Sequence, residues 1–302
     1  MEDRIKNLLP YLPHHTSATV SAFLSKNAGN EKELTEIRLH ADRPTSLTAA
    51  GKNVSSFSGK HDICTREEIS KTLAKLTEDS VHTYGDMMRE GFINLEGGYR
   101  VGVCGSASVS DGAIRSVYGL TTLCIRIPRA VRNVEGGLLK VISGDGDIKS
   151  ALIYSLPCVG KTTLIRALAA AMSSGEGARR VAVVDTRNEI YMSEMFRDST
   201  ADFLSGYPRA AGIEIATRTL SPEVVICDEI GGDAEARAIL SAQNTGVPLI
   251  ATAHGKSAAE VVRRPNIKVL CDAGVFRYLV GISRDEGGSF MLDVIDWAEG
   301  EK

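Results

Sequence analysis

The sequence predicts an α/β protein with two domains: a smaller α+β domain over residues 1–147 and an α/β domain with a mostly parallel sheet over residues 148–302. Two observations support this division: a length of 302 residues is typical of two domains, and the hydrophobic patterning changes after residue 148. A third observation is composition, since 43% hydrophobic and 24% charged residues are typical of soluble globular proteins. Residues 143–147, S-G-D-G-D, are the best candidate for the linker.

The N-terminal part combines helical and strand patterns. Residues 1–28 carry a loosely amphipathic helical pattern, and Thr65 with Glu68 three positions on resembles the capping box that begins a helix. Two alternating runs interrupted by Gly97-Gly98 predict a β-hairpin over residues 92–108. Further strands are predicted at residues 36–39, 46–49 and 121–127.

The C-terminal part alternates strands with helices. Short apolar runs predict buried strands at residues 151–154, 181–185, 224–228 and 248–252. Helical spacing over residues 163–172 and 233–244 places helices between some of these strands. This alternation predicts a parallel sheet covered on both faces, and residues 276–282 and 289–295 predict a closing hairpin.

Composition argues against several classes of protein. A net charge of −3 and 5% aromatic residues disfavour a nucleic-acid binder, so no nucleic-acid partner is expected. No apolar run reaches the roughly 18 residues of a membrane span, and the N-terminus does not resemble a secretory signal. Six scattered cysteines without a CxxC pair indicate neither a zinc site nor a disulfide framework, and favour a cytosolic protein with reduced thiols.

A phosphate-binding loop is predicted where the first strand of the second domain ends. Residues 155–162 read S-L-P-C-V-G-K-T, which matches the P-loop pattern at Gly160, Lys161 and Thr162 but has Ser155 in place of the first glycine. In such a loop the backbone N–H groups and the lysine hold phosphates, and the hydroxyl binds Mg²⁺. The nucleotide-binding residues predicted here are Ser155, Leu156, Pro157, Cys158, Val159, Gly160, Lys161, Thr162 and Thr163.

An acidic pair at the end of a later strand completes the predicted site. Residues 224–229 read V-V-I-C-D-E, the pattern expected of a Walker B strand. Asp228 is then the candidate to hold Mg²⁺ together with Thr162, and Glu229 the candidate to orient and deprotonate the attacking water. The sequence therefore predicts binding of ATP and Mg²⁺.

Other polar residues at strand ends are weaker candidates. His254 ends the strand that begins near Pro248, where a polar group can sense the γ-phosphate. Asp185 ends the strand at 181–185, and either Asp185 or Glu189 could contact the nucleotide or its water. The alternative for His254 is a structural role, and the alternative for Asp185 and Glu189 is a solvated charge in a turn.

These residues together resemble the stage III sporulation protein AA family, relatives of the type II secretion and type IV pilus ATPases. The resemblance spans essentially the whole chain. Its more specific part is the segment S-P-E-V at 221–224 followed by D-E-I-G at 228–231. Further matches are E-I-R-L (36–39), R-P (43–44), G-F-I (91–93), G-G-Y-R-V-G (97–102), L-C-I-R-I-P-R (123–129), the P-loop and T-A-H-G (252–255).

The resemblance implies a RecA-like ATPase domain behind a smaller N-terminal domain, assembled as a homo-hexameric ring. It implies an ATPase on the cytoplasmic face of the membrane, acting on membrane-embedded subunits of a secretion-like channel between mother cell and forespore. In the secretion relatives an arginine-bearing N-terminal domain closes over the nucleotide, and Arg100, Arg126 and Arg129 are the matching candidates. Two departures from the pattern, Ser155 and Val159, bear on turnover rate more than on fold.

Three functional hypotheses follow. The first is an ATP-hydrolysing motor, favoured by Glu229; the second is a nucleotide-dependent scaffold with little turnover, weakly favoured by Ser155; the third is a nucleic-acid-dependent RecA-like ATPase, disfavoured by charge and aromatic content. Within the motor, Arg126 is the first choice for an arginine that stabilises transferred charge, because the P-loop side offers Lys161 but no obvious second cation. An ion pair of Arg126 with Glu36 or another local carboxylate is the alternative, since an arginine in an apolar run needs a partner.

Overall fold

A computed structural model describes residues 2–26, 34–54, 62–144 and 146–298. The chain divides into two compact units, residues 1–129 and 130–302. The boundary predicted at 147/148 therefore lies too far along the chain. Residues 130–147 belong with the second unit because Leu138 and Ile142 are fully buried in its hydrophobic core.

The first unit is built on a six-stranded antiparallel sheet with the strand order β3-β2-β1-β6-β5-β4. Its elements are α1 (Glu2–Leu8), α2 (His14–Lys26), β1 (Leu34–His40), β2 (Ser46–Ala49), β3 (Lys52–Val54), α3 (Arg66–Leu76), α4 (Gly85–Arg89), β4 (Phe92–Leu95), β5 (Tyr99–Ser110) and β6 (Ala113–Arg126).

Local sequence signals explain several of these elements. The Thr65–Glu68 capping box begins α3 as predicted, with the Glu68 backbone N–H donating to Thr65 Oγ1 at 3.1 Å. The predicted hairpin is β4 and β5, and a short 3-10 turn containing Gly97 joins them. The long amphipathic helix predicted over residues 1–28 is divided in the structure: a 3-10 turn and Pro13 separate α1 from α2, because proline cannot donate a helical hydrogen bond. Residues 27 and 28 lie outside the described residues.

The second unit contains a seven-stranded sheet with the order β13-β12-β7-β11-β10-β8-β9, in which every pair is parallel except β12–β13. The strands are β7 (Ala151–Ser155), β8 (Val181–Asp185), β9 (Asp202–Ser205), β10 (Val224–Cys227), β11 (Leu249–His254), β12 (Tyr278–Arg284) and β13 (Phe290–Asp296). The helices are α5 (Gly136–Ile142), α6 (Lys161–Met172), α7 (Arg209–Thr219), α8 (Asp233–Gln243), α9 (Ala258–Val262) and α10 (Pro265–Asp272).

Burial on both faces explains the sequence of the central strands. Every residue of β7, β8 and β10 is buried, and separate hydrophobic clusters cover the two faces of the sheet. The predicted strands in this part and the closing hairpin are confirmed to within two residues at each end. The carboxyl ends of β7, β11 and β10 are adjacent along one edge of the sheet, and this edge positions the candidate site.

No helix among the described residues is long and apolar enough to cross a membrane.

Candidate functional site

The predicted P-loop connects the end of β7 to the first residue of α6. Gly160 immediately precedes α6 and adopts φ +117°, a left-handed conformation that favours glycine. A Cβ at this position would lie 2.7 Å from Arg284 Nη2 and 3.0 Å from Phe290 Cζ, so the backbone favours glycine and a side chain would also require Arg284 and Phe290 to shift. Residues 156–158 of the loop are exposed, as a loop that receives a ligand should be.

Ser155 replaces the usual glycine without distorting the loop. Its φ is not positive, which is the condition under which serine is tolerated there. The side chain is buried, its Oγ donates to Leu156 O at 2.8 Å, and it accepts from Lys161 Nζ at 3.2 Å. The hydroxyl therefore holds the P-loop lysine, a contact that glycine could not make.

Lys161 is folded back onto its own loop. Its Nζ donates to Ser155 O at 3.1 Å and lies 3.0 Å from His254 Nδ1, and the residue is only 8% exposed. Burial lowers the pKa of Lys161 below its usual value, because the charged ammonium is desolvated. Thr162 and Thr163 follow on the first turn of α6 and are partly exposed.

His254 joins the P-loop lysine to the acidic pair. Its Nε2 lies 3.1 Å from Glu229 Oε1, while its Nδ1 faces Lys161. The two distances fit a neutral imidazole whose Nδ1 accepts from Lys161 and whose Nε2 donates to Glu229. The fold thus brings Lys161, His254 and Glu229 into one hydrogen-bonded line from three neighbouring strand ends.

Asp228 lies deeper and is paired with an arginine that no sequence motif indicated. Arg209 Nε donates to Asp228 Oδ1 at 2.6 Å, and its Nη1 donates to Glu235 Oε1 at 2.7 Å. All three side chains are at most 17% exposed. Burial raises the pKa of Asp228, and the hydrogen bond and charge of Arg209 oppose that shift. The predicted magnesium ligand is therefore held in an ion pair by the protein.

Asp185 is bonded to the protein's own backbone. Its fully buried carboxylate accepts hydrogen bonds from the backbone N–H groups of Glu189, Ile190 and Tyr191 at 2.8–2.9 Å. Burial raises its pKa, while these hydrogen bonds lower it. The carboxylate is thus occupied in shaping the turn after β8. The alternative that the sequence left open for Asp185, a solvated charge in a turn, does not fit its full burial.

The three candidate arginines, Arg100, Arg126 and Arg129, lie in the first unit. Arg126 Nε lies 3.6 Å from Glu36 Oε2, the ion pair that the sequence offered as an alternative, yet its side chain is 66% exposed. Arg100 stacks over the Phe92 ring at 3.9 Å, and Arg129 is exposed. A role for any of them at the nucleotide stays a prediction.

The expectation that the P-loop side has no second cation is wrong. Arg209 pairs with Asp228, Arg187 Nη1 lies 3.6 Å from Glu229 Oε2, and Arg284 Nε donates to Val159 O at 2.7 Å. Arg187 follows β8 directly, so its position at a strand end was a usable signal. Arg209 and Arg284 match no motif, and only the packing of α7 and β12 brings them to the site.

A parallel sheet with the predicted P-loop after β7, a polar strand end on β11 and an acidic strand end on β10 is typical of the RecA-like P-loop NTPase fold. Solved structures share it. The Legionella pneumophila ATPase DotB superposes with a TM-score of 0.59 at 14% identity, covering 87% of this chain and 76% of its own. The pilus retraction motor PilT, solved with bound ADP, gives 0.60 at 13% identity, covering 90% and 81%. The predicted fold class is confirmed.

Sequence comparison then gives the family. The chain belongs to the family described as sporulation stage III, protein AA, whose model matches residues 11–297. Stage III sporulation protein AA of Bacillus subtilis (strain 168) is 30% identical over 273 residues, which are 87% of this chain and 87% of that protein. The resemblance drawn from the sequence motifs is therefore confirmed.

Proposed function

We propose that the protein is a Mg²⁺-dependent ATPase. The observation that carries the proposal is the line of side chains Lys161–His254–Glu229, with contacts of 3.0 and 3.1 Å, at the carboxyl ends of β7, β11 and β10. This is the edge of a parallel sheet at which α/β proteins bind nucleotides. A lysine for the phosphates and a carboxylate for the water lie at opposite ends of the line, and His254 connects them.

Each group has a definite part in this proposal. Lys161 neutralises the β- and γ-phosphate oxygens, and Glu229 orients the attacking water and accepts its proton. His254 links the two ends, and phosphates that attract Lys161 would draw it away from Nδ1. The neutral imidazole then retains its hydrogen bond to Glu229 alone.

The residues present fit a magnesium ion. Mg²⁺ prefers hard oxygen ligands, and Thr162 offers a hydroxyl while Asp228 offers a carboxylate at the end of β10. Bound there, the ion would offset charge on the nucleotide phosphates. Asp228 meets it with Arg209 already attached, so Arg209 sets how much negative charge the carboxylate offers.

The family and the fold of its neighbours suggest where the ATPase acts. The B. subtilis relative is named for stage III of sporulation, and the structural neighbours are an ATPase and a pilus retraction motor. We infer that the chain forms a hexameric ring on the cytoplasmic face of the mother-cell membrane. There it energises membrane-embedded subunits of a secretion-like channel to the forespore.

A nucleotide-binding scaffold with little turnover is the second candidate, and three contacts favour it. Lys161 is bonded to Ser155 and His254, and Asp228 is bonded to Arg209, so the principal phosphate and metal ligands are both engaged by protein groups. A scaffold needs only that nucleotide displaces the lysine. A motor also needs Glu229 to act as a base.

Two variants separate the candidates. Lys161→Ala should abolish ATP binding in calorimetry, and unchanged affinity would show that the P-loop assignment is wrong. Glu229→Gln should keep ATP binding and slow phosphate release by roughly 10²–10⁴-fold, the range for loss of a general base. Lys140→Ala and Glu176→Gln, both at exposed positions, are the matched controls.

The wild type decides between motor and scaffold. Phosphate release that Glu229→Gln suppresses identifies a motor, whereas ATP binding without release by the wild type identifies a scaffold. Near-normal turnover in Glu229→Gln would assign the base to another residue. Glu189 is then the next candidate, because Asp185 is occupied by backbone hydrogen bonds.

A further inference from the structure

A histidine, a carboxylate and a thiol meet in the first unit, among residues that the proposed ATPase does not use. His15 lies in the first turn of α2, and Asp62 and Cys64 lie in the segment just before α3. One potential ligand atom from each residue lies within 4.8 Å of the other two. The spacing 15, 62 and 64 matches no metal-binding motif, which is why the sequence did not indicate a zinc site.

The backbone around this cluster is held in place. The backbone N–H of Asp42 donates to Cys64 O at 2.8 Å, and that of Thr45 donates to Asp62 O at 2.6 Å. Cys64 is fully buried, and its Sγ contacts the hydroxyls of Thr16 at 3.5 Å and Thr45 at 3.6 Å. Asp62 and Cys64 are therefore positioned before any ion arrives.

The Asp62 carboxylate is incompletely satisfied. Its side chain is 7% exposed, and Oδ1 lies 2.5 Å from His15 Nδ1 and accepts from Thr16 Oγ1 at 3.2 Å. Oδ2 is buried and has no hydrogen-bond partner among the described residues. A buried carboxylate oxygen without a donor is costly unless a cation or a water satisfies it.

A second carboxylate orients the histidine. Glu68 Oε1 lies 3.0 Å from His15 Nε2, and Glu68 is itself fixed because its Oε2 accepts from the Thr65 backbone N–H at 2.9 Å. With Glu68 holding Nε2, Nδ1 is the nitrogen that faces Asp62 and Cys64, and the proton shared across the 2.5 Å contact of Nδ1 with Asp62 Oδ1 leaves when an ion binds. Metal-bound histidines commonly have this arrangement, in which a carboxylate holds the outer ring nitrogen.

We propose that His15 Nδ1, the Asp62 carboxylate and the Cys64 thiolate bind a zinc ion. One nitrogen, one oxygen and one sulfur ligand suit zinc, whereas Mg²⁺ and Ca²⁺ prefer oxygen ligands alone. The carboxylate and the thiolate together balance the charge of Zn²⁺. The partly exposed His15 leaves a side from which water can supply the fourth ligand. The ion ties the start of α2 to the segment that leads into α3.

Cobalt is the direct test, because Co²⁺ occupies zinc sites and reports sulfur ligation through thiolate-to-metal charge-transfer absorption. The full chain, stripped with a chelator, is titrated with Co²⁺ and then with Zn²⁺. We expect one charge-transfer band that Zn²⁺ abolishes and that Cys64→Ser lacks. Cys104→Ser, which removes an exposed cysteine, should keep the band. Glu68→Gln should weaken Co²⁺ binding by about 10–100-fold, as loss of a carboxylate behind a metal-bound histidine does.

Competing outcomes are equally specific. Absence of a band in the wild type, or an unchanged band in Cys64→Ser, would overturn the proposal. The first result would leave His15 as an imidazolium held between Asp62 and Glu68. Should Cys64→Ser not fold, His15→Gln is compared with its exposed neighbour variant His14→Gln. Only the His15 change should lose the band and the rise in melting temperature that Zn²⁺ gives the wild type.

Discussion

Arg209→Ala is expected to destabilise the second unit strongly. Among the described residues, Arg209 is the one cation that pairs with both buried carboxylates, Asp228 and Glu235. Arg209 donates to Asp228 at 2.6 Å and to Glu235 at 2.7 Å, and its side chain is 13% exposed. Breaking a buried ion pair from one side costs about 3–5 kcal/mol, since a charge is left uncompensated. At roughly 2–4 °C per kcal/mol for a unit of this size, the melting temperature should fall by about 6–20 °C.

The loss should depend on pH in a defined direction. Burial already raises the pKa of Asp228, and removing the opposing arginine raises it further. A raised folded-state pKa gives stability that is present below the unfolded pKa of about 3.9 and is lost as pH rises through the folded pKa. Burial acts to raise the pKa of Glu235, but hydrogen bonds from Gly232 and Arg209 outweigh it, so this pKa lies below its usual value. A carboxyl group with a lowered pKa stabilises the folded state at high pH, and the variant loses the part of this stabilisation that the arginine provides. The deficit of Arg209→Ala should therefore be larger at about pH 8 than at about pH 5.

Urea unfolding of wild type and variant at both pH values is the assay. Arg218→Ala is the control on the same helix, since its side chain is 71% exposed and its pair with Glu214 spans 4.0 Å, so it should change stability by less than about 0.5 kcal/mol. The double variant Arg209→Met with Asp228→Asn should be more stable than Arg209→Met alone, because the second change removes the buried charge that has lost its partner. A deficit below about 1 kcal/mol, or a larger deficit at low pH, would show that Arg209 does not stabilise the two buried carboxylates.

Three further variants test separate parts of the structure. Arg126→Ala should change stability by less than about 1 kcal/mol, because Arg126 is 66% exposed and Glu36 keeps Arg38 as a partner at 2.6 Å. Reduced turnover with retained ATP binding would then support a role of Arg126 in stabilising the transferred charge, and normal turnover would exclude that role. Asp185→Ala should cost roughly 2–5 kcal/mol in urea unfolding, since three backbone N–H groups lose their acceptor, and a cost under 1 kcal/mol would contradict that account. Gly160→Ala should lower ATP affinity at least about tenfold in calorimetry through backbone strain of about 1–3 kcal/mol, and wild-type affinity would show that the loop tolerates a side chain there.

The parts of the fold that the sequence predicted well are those with strong local signals. Buried parallel strands are continuous apolar runs, so the residue pattern alone was enough to recognise β7, β8, β10 and β11. The capping box of α3 is equally local. The short edge strand β9 and the helices α7, α9 and α10 were missed, because their sequences are mixed in character and tertiary packing outweighs their weak propensity.

The domain boundary shows a different limit. Residues 143–147 have the composition of a linker, and composition placed the division after them. The second core nevertheless reaches back to Leu138 and Ile142 of α5. Which core a helix joins is a question of packing partners, and a glycine-rich stretch shows only that the chain can turn there.

The P-loop, the Asp-Glu pair at the end of β10 and the family were all accessible from the chain's residues, because each depends on residue type and spacing along one segment. The groups that surround them follow from folding. Arg209 reaches Asp228 from the start of α7, and Cys64 meets His15 from a distant segment of the chain. These contacts join positions far apart in sequence, and charge and hydrogen bonding act through space, so no local pattern could specify them.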